Sequence, residues 1–256
     1  MLPQQPFDTC VLSGYEALLF DQVTSTNEVA KTIAENSQKK NLVIIARTQT
    51  RGHGRRGRQW VSPKGGIWLS LLLRPTMAKK GLTRLTLITA SAVASAIEQT
   101  LGLRTEVKWP NDLLIGGKKM CGVLVETSIK ADVARYVIIG IGINTNVDIR
   151  FFPTCLRESI TTLKHELGRE IDNRTLILNV LSGFEERYEH LRLGRWEDLR
   201  LEWMSRAEFL GKQVRVTSFA DIVTGAALDI DDSGALLIRM ENGSVRKLVA
   251  GDLRLR

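Results

Sequence analysis

Gly52, Gly54 and Gly57 alternate with Arg51, Arg55, Arg56 and Arg58 in the run from Gln49 to Trp60, QTRGHGRRGRQW. Glycine lets a backbone approach a ligand closely and turns its amide N–H groups toward anions. Arginine adds fixed charge and planar donors for phosphate or carboxylate oxygens. Trp60 offers a flat apolar cover for a ring. Taken alone, the run reads equally as a solvated basic loop or a nonspecific RNA contact.

A second group starts at Lys108-Trp109-Pro110-Asn111-Asp112 and continues through Gly117-Lys118-Lys119-Met120-Cys121-Gly122 to Glu126. A strand halted by proline presents Asn111 and Asp112 at a sheet margin, and a returning hairpin strand brings Lys119 nearby. An acid, an amide and a lysine together suit reaction at phosphorus. The lysine neutralises growing negative charge and the acid can hold magnesium. The plain alternative is an ordinary hairpin with a hydrated lysine.

A third group, Gly140-Ile141-Gly142-Ile143-Asn144, is a poor dinucleotide fingerprint, because Thr145 stands where a third glycine would fall. No GxxxxGK[ST] run occurs. Any use of ATP must therefore do without either common phosphate cradle. Read plainly, Gly140 and Gly142 relieve crowding in a buried strand.

The elements that position these groups are legible from hydrophobic periodicity. The first twenty or so residues carry no strong pattern and read as an arm. Ser25 or Thr26 caps a short helix through Val29, Ala30 and Ile33. Asn41 to Arg47 and Ile67 to Arg74 are β-branched or apolar runs that read as buried strands. Between them, Thr48 to Gly66 holds five glycines and four arginines, a composition suited to a ligand loop. Thr83 to Leu101 reads as a helix, with Leu85, Ile88, Val93, Ala96 and Ile97 at helical spacing. Arg104 to Trp109 is a strand. Leu113 to Ile115 and Met120 to Glu126 flank Gly116–Gly117 as a hairpin, followed by a strand from Val133 to Ile143. Arg174 to Leu193 and Trp196 to Leu210 are helices. This order predicts an α/β (α+β) domain over residues 1–210, with a largely antiparallel sheet covered by helices. Residues 211–256 alternate short β-rich runs with Asp-Asp-Ser-Gly and Glu-Asn-Gly turns, which predicts a small β-barrel.

In this order and spacing the segments resemble the biotin protein ligase family. Ser25-Thr26-Asn27 is similar to that family's STN motif, and GHGRRGR, between Gln49 and Trp60, to its glycine–arginine adenylate loop. KWPNDLL, GKKMCGVLVE and GIGIN resemble its next three motifs. The likeness is strong over Ser25 to Asn146 and weak over the C-terminal segment. It implies a class II aminoacyl-tRNA synthetase-like catalytic fold with an SH3-like C-terminal barrel. It implies that Ser25, Thr26, Asn27, Gln49 and Gly140 meet biotin, with Gly52, His53, Gly54 and Arg55 closing over it. Arg55, Arg58, Trp60, Asn111 and Asn144 would serve ATP or the adenylate. Lys119 would bridge the biotin carboxylate and the α-phosphate, and Asp112 would support Mg2+ or orient the reacting groups. Catalysis is thus assigned to Lys119, Arg55 and Asp112. The implied substrates are ATP and biotin, and the implied partner is a biotin carboxyl carrier protein of acetyl-CoA carboxylase. His53 departs from the pattern, standing where many relatives have arginine.

Composition narrows the alternatives. Hydrophobic residues make up 43% and no apolar run approaches the roughly 20 residues that span a bilayer, so a cytoplasmic protein is expected. Cys10, Cys121 and Cys155 lack paired spacing and His53, His165 and His190 are scattered, which argues against disulfides and structural zinc. The formal net charge of +8 favours anionic partners. Too few residues precede Ser25 for a helix-turn-helix domain, so no DNA-binding domain is expected. Exposed strand edges suit either a homodimer or a carrier complex. The competing readings are a lipoate or octanoate ligase of the same fold, whose ligand lacks a polar ring, and a nucleic-acid-binding module built on Arg51 to Arg58.

Overall fold

Strands with apolar residues at every position must be covered on both faces, and β4 (Ile67–Leu73) is buried along its whole length. The computed structural model describes residues 5–75, 81–130, 133–218 and 221–255. The chain runs β1 (Asp8–Leu12), β2 (Tyr15–Val23), α1 (Thr26–Asn36), β3 (Leu42–Gln49), β4, α2 (Leu82–Leu101), β5 (Glu106–Lys108), β6 (Asp112–Ile115), β7 (Lys118–Lys130) and β8 (Val133–Ile143). Helices α3 (Thr154–Arg157), α4 (Leu163–Leu167), α5 (Asn173–Arg192) and α6 (Trp196–Met204) follow. Strands β9 (Gln213–Thr217), β10 (Ile222–Ile230), β11 (Leu236–Arg239), β12 (Val245–Leu248) and β13 (Asp252–Leu255) close the chain.

The first eight strands form one sheet in the order β1-β2-β3-β4-β8-β7-β6-β5. Among the strands of the described residues only the β2–β3 pair is parallel, so the sheet is largely antiparallel as expected. The predicted N-terminal arm is instead a hairpin on the sheet edge. Its outer strand is exposed at four of five positions and so carries no alternating signal. Helix α6 ends at Met204, earlier than the predicted Leu210.

Side chains divide by parity between the two faces. Ile67, Leu69, Leu71 and Leu73 of β4 join Val137, Ile139, Ile141 and Ile143 of β8 in the core under α2 and α5. Leu72 and Ile138 face the other way, into a smaller core with Val29, Ala30 and Ala34 of α1. Burying each large side chain stabilises the fold by about 1.5–3 kcal/mol. Further along that second face the apolar series stops. On β8, Tyr136 and Ile138 give way to Gly140 and Gly142, and on β4 Leu72 gives way to Ser70. The floor opens there.

The last five strands form a separate antiparallel sheet ordered β12-β11-β10-β9-β13. Among the described residues no pairing of β12 with β13 closes it into the expected barrel. Val214, Val216, Ile238 and Leu253 belong to the same apolar cluster as α2 and α5, so the main core continues into this sheet. Among the described residues no helix is long and apolar enough to cross a membrane.

Candidate active site

Where Gly140 and Gly142 leave the sheet uncovered, a cleft of about 370 Å³ opens between α1, the Gln49–Trp60 loop and the β6–β7 hairpin. Its walls bring together Ser25, Thr26, Asn27, Gln49, His53, Gly54, Arg55, Arg58, Trp60, Asn111, Asp112, Lys119, Gly140 and Asn144, the residues singled out in the sequence. Gly52 is the exception. It packs behind the wall, where a Cβ would lie 2.5 Å from the Trp60 carbonyl and 2.6 Å from Ser62 Oγ.

The glycine motifs have a steric reason beyond relief of crowding. Gly142 pairs with Trp68 on one side and Gly122 on the other, and Gly122 pairs with Asp112. The Trp60 ring lies over this row. A Cβ on Gly142 would fall 2.5 Å from Trp60 Nε1, and one on Gly122 would fall 3.1 Å from the same indole. Gly140 similarly leaves room for the Asn27 carboxamide. Residues 140 and 142 share a face about 7 Å apart, so the Asn27 end and the indole end are adjoining compartments.

Gly116 and Gly117 both take positive φ, 54° and 75°, which a tight β6–β7 turn requires. The pairing then slips by one residue: Leu113 faces Cys121 but Leu114 faces Lys119. Consecutive Met120 and Cys121 consequently both pack into the main core. Such a bulge reverses the facing of everything beyond it, and it turns Lys119 to the side of Gly122 and Asp112. Lys119 Nζ lies 2.6 Å from Asp112 Oδ1 and 5.0 Å from the Trp60 ring centroid. Cys121, fully buried, has its thiol pushed up by desolvation and is no nucleophile.

The loop folds back on itself through bridges Gln49–Ser62 and His53–Gln59, with a single 3-10 turn at Arg55–Gly57. Arg55 donates to Asn111 Oδ1 at 2.9 Å and to the Gly251 carbonyl at 3.2 Å. Burial lowers the affinity of its guanidinium for the proton, and Asp252 and Asp112 oppose that shift. Arg58 pairs with Asp252 on β13, and Arg56 lies 3.6 Å from the same carboxylate. His53 Nε2 is 3.5 Å from Glu126 Oε2. Asn144 donates to the Thr161 carbonyl at 3.1 Å, while among the described residues its buried Oδ1 finds no hydrogen-bond partner, nor does Trp60 Nε1.

The motifs did not reveal Asp252, Ser62 or Ser70, and Gly142 was read only as relieving crowding in its strand. Ser70 had a signal, a lone hydroxyl inside the apolar strand IWLSLLL. Asp252 had none, since it arrives from the second sheet.

Cationic groups at the cleft floor, beside a small polar compartment, suit acyl activation by a nucleotide. Residues 19–144 match the biotin/lipoate A/B protein ligase family, and residues 209–256 match the biotin protein ligase C terminal domain. The bifunctional ligase/repressor BirA of Bacillus subtilis (strain 168) is 37% identical over 243 residues, covering 94% of this chain and 74% of that protein. This chain belongs to the biotin protein ligase family. The biotin--[acetyl-CoA-carboxylase] ligase of Paracoccus denitrificans is 30% identical, covering 77% of this chain and 83% of its own. The biotin protein ligase of Aquifex aeolicus, solved in complex with biotin and ATP, superposes with a TM-score of 0.80 at 30% identity, covering 94% of this chain and 98% of that one. The family makes the chain a ligase.

Proposed function

We propose that this chain activates biotin with ATP and transfers it to a lysine of a biotin carboxyl carrier protein. The observation that carries the reading is the meeting of Lys119, Asp112 and the Arg55–Asn111 pair in one cleft with the Thr26–Gln49 polar group. The relative from Aquifex aeolicus, solved with biotin and ATP, supports it.

A carboxylate is a poor acyl donor, so its oxygen first attacks the α-phosphorus of ATP and diphosphate leaves. Two anions must approach, and the partly buried Lys119 and Arg55 offset their repulsion. The biotin ring enters the Thr26–Gln49 compartment, which places its carboxylate toward Lys119. Trp60, resting on Gly142 and Gly122, walls off the mixed anhydride from solvent. The loop, closed by Arg58 on Asp252, retains it. A neutral carrier lysine then attacks the acyl carbon, a new amide forms and AMP departs. No group of the enzyme is acylated.

Among the described residues no cluster of three metal-ligating side chains occurs. Magnesium bound with substrate phosphates needs only one or two carboxylates, and Asp112 fits that part. The ion would supply charge neutralisation at the phosphates.

Biotin-dependent release of diphosphate from ATP tests the reading, with lipoate as the comparison. Release with lipoate alone would transfer the chain to the sister activity. The polar compartment speaks against that, because lipoate leaves its buried donors and acceptors unpaired at about 1–3 kcal/mol.

A further inference from the structure

Ser70 is fully buried in the middle of β4, where a hydroxyl is costly unless it is paired. Its Oγ lies 2.7 Å from Thr26 Oγ1 and 2.6 Å from Asn27 Oδ1. Asn27 Nδ2 donates to Glu126 Oε2 at 2.6 Å. The Thr26 backbone N–H donates to Gln49 Oε1 at 2.8 Å, and Gln49 Nε2 donates to Ser62 Oγ at 2.8 Å. Ser62 in turn donates to the Trp60 carbonyl at 3.0 Å. Thr26, Asn27 and Gln49 line the cleft, whereas Ser70 and Glu126 stand behind them.

Each hydroxyl has one proton, so the direction of every bond can be counted. The Glu126 carboxylate only accepts, and it draws the amide NH2 of Asn27. That leaves Asn27 Oδ1 toward Ser70, and a carbonyl oxygen cannot donate. Ser70 therefore gives its proton to Asn27. The short contact between Ser70 and Thr26 then requires the Thr26 proton, pointing away from the cleft. At the far end, Ser62 gives its proton to Trp60 and accepts from Gln49, which fixes the Gln49 carboxamide. Gln49 Oε1, 3.2 Å from Thr26 Oγ1, is a second and longer acceptor for the Thr26 proton. With the proton given to either acceptor, Thr26 Oγ1 keeps only lone pairs for a ligand, while Gln49 keeps its second amide N–H.

We infer that Ser70 and Glu126 are positioning residues for ligand selectivity. The Glu126 charge orients the series Glu126–Asn27–Ser70–Thr26 so that Thr26 Oγ1 can only accept from the ligand. The compartment then fits a ring with N–H donors beside a carbonyl, as in a cyclic urea, and rejects a ring that presents an acceptor to Thr26. The inference rests on the biotin reading and names the residues that make the choice.

Calorimetric titration of the full chain with biotin and with its two cyclic carbamate analogues, each replacing one ring N–H by oxygen, tests this. The wild-type chain should bind one analogue about tenfold to a hundredfold more weakly than biotin. In Ser70→Ala the Thr26 hydroxyl loses its short 2.7 Å partner, keeps only the 3.2 Å contact with Gln49 Oε1 and can turn to donate, so that gap should shrink to within a few-fold. Glu126→Gln lets the Asn27 amide flip and should shrink it as well, so either variant suffices if the other does not fold. Equal weakening of biotin and both analogues would make Ser70 merely structural and overturn the inference. An unchanged gap in both folded variants overturns it too. A wild-type chain that binds no biotin overturns the biotin reading and this inference with it.

Discussion

Lys119 Nζ stands 2.6 Å from Asp112 Oδ1 because a one-residue bulge between β6 and β7 turns the lysine to the acid's side of the sheet. The pair is partly buried, with side-chain exposures of 28% and 19%. On the proposed mechanism an arriving phosphate meets a lysine already held in place, with little chain entropy left to lose.

Removing that amine should cripple the first step. Lys119→Ala is expected to lower kcat for biotin-dependent diphosphate release by about 10²–10³-fold, the usual loss for one preorganised stabilising group. Steady-state kinetics on protein of unchanged thermal midpoint checks it. Near-normal turnover would remove Lys119 from the chemistry.

On the proposed mechanism Arg55 serves retention as well as charge. Arg55→Gly loses the bonds to Asn111 and Gly251 and loosens the loop over the cleft. Free biotinyl-adenylate should then escape and label bystander lysines. Incubating the variant with an unrelated lysine-rich protein and probing with streptavidin reads this directly.

The indole needs its glycine floor. Gly142→Ala places a methyl 2.5 Å from Trp60 Nε1, so the ring must move, at an expected loss of about 1–3 kcal/mol. Trp60 fluorescence should shift and the KM for ATP rise. Full activity with an unshifted spectrum would mean that the ring does not cover the nucleotide site.

The closure of the loop onto the second sheet should fail in acid. Burial raises the Asp252 carboxyl, but the bond from Arg58 and the charges of Arg58, Arg56 and Arg55 outweigh it, leaving its pKa below the ordinary value. A depressed carboxylate pKa gives stability that is fully present above the unfolded value of about 3.9 and lost as pH falls through the folded one. Fluorescence of the loop tryptophan should therefore report release only below about pH 4. Asp252→Asn should show the released signal already at neutral pH.

Much of this was readable in the residues themselves. Long strands such as Ile67–Leu73 and Val133–Ile143, the α2 and α5 helices and the Gly116–Gly117 turn all announce themselves by period and turn chemistry. The motif residues meet in one cleft because they end or border neighbouring strands. The bulge was not readable, since strict alternation through Lys118–Glu126 sends Lys119 and Gly122 to opposite faces. Strand β1 was not readable either, because an exposed edge strand need not alternate. Asp252 was hidden for a third reason: its partnership with Arg58 depends on how two sheets pack, and that leaves no local trace.

The central claim is that these groups together join a vitamin's acid to a protein lysine. Mass spectrometry of a purified biotin carboxyl carrier domain, after incubation with this chain, ATP, magnesium and biotin, tests it most directly. The account predicts one added biotinyl group on a single lysine, dependent on ATP and absent with Lys119→Ala. A carrier left unmodified by active, folded wild-type protein, or modified equally well by the Lys119→Ala variant, would contradict it.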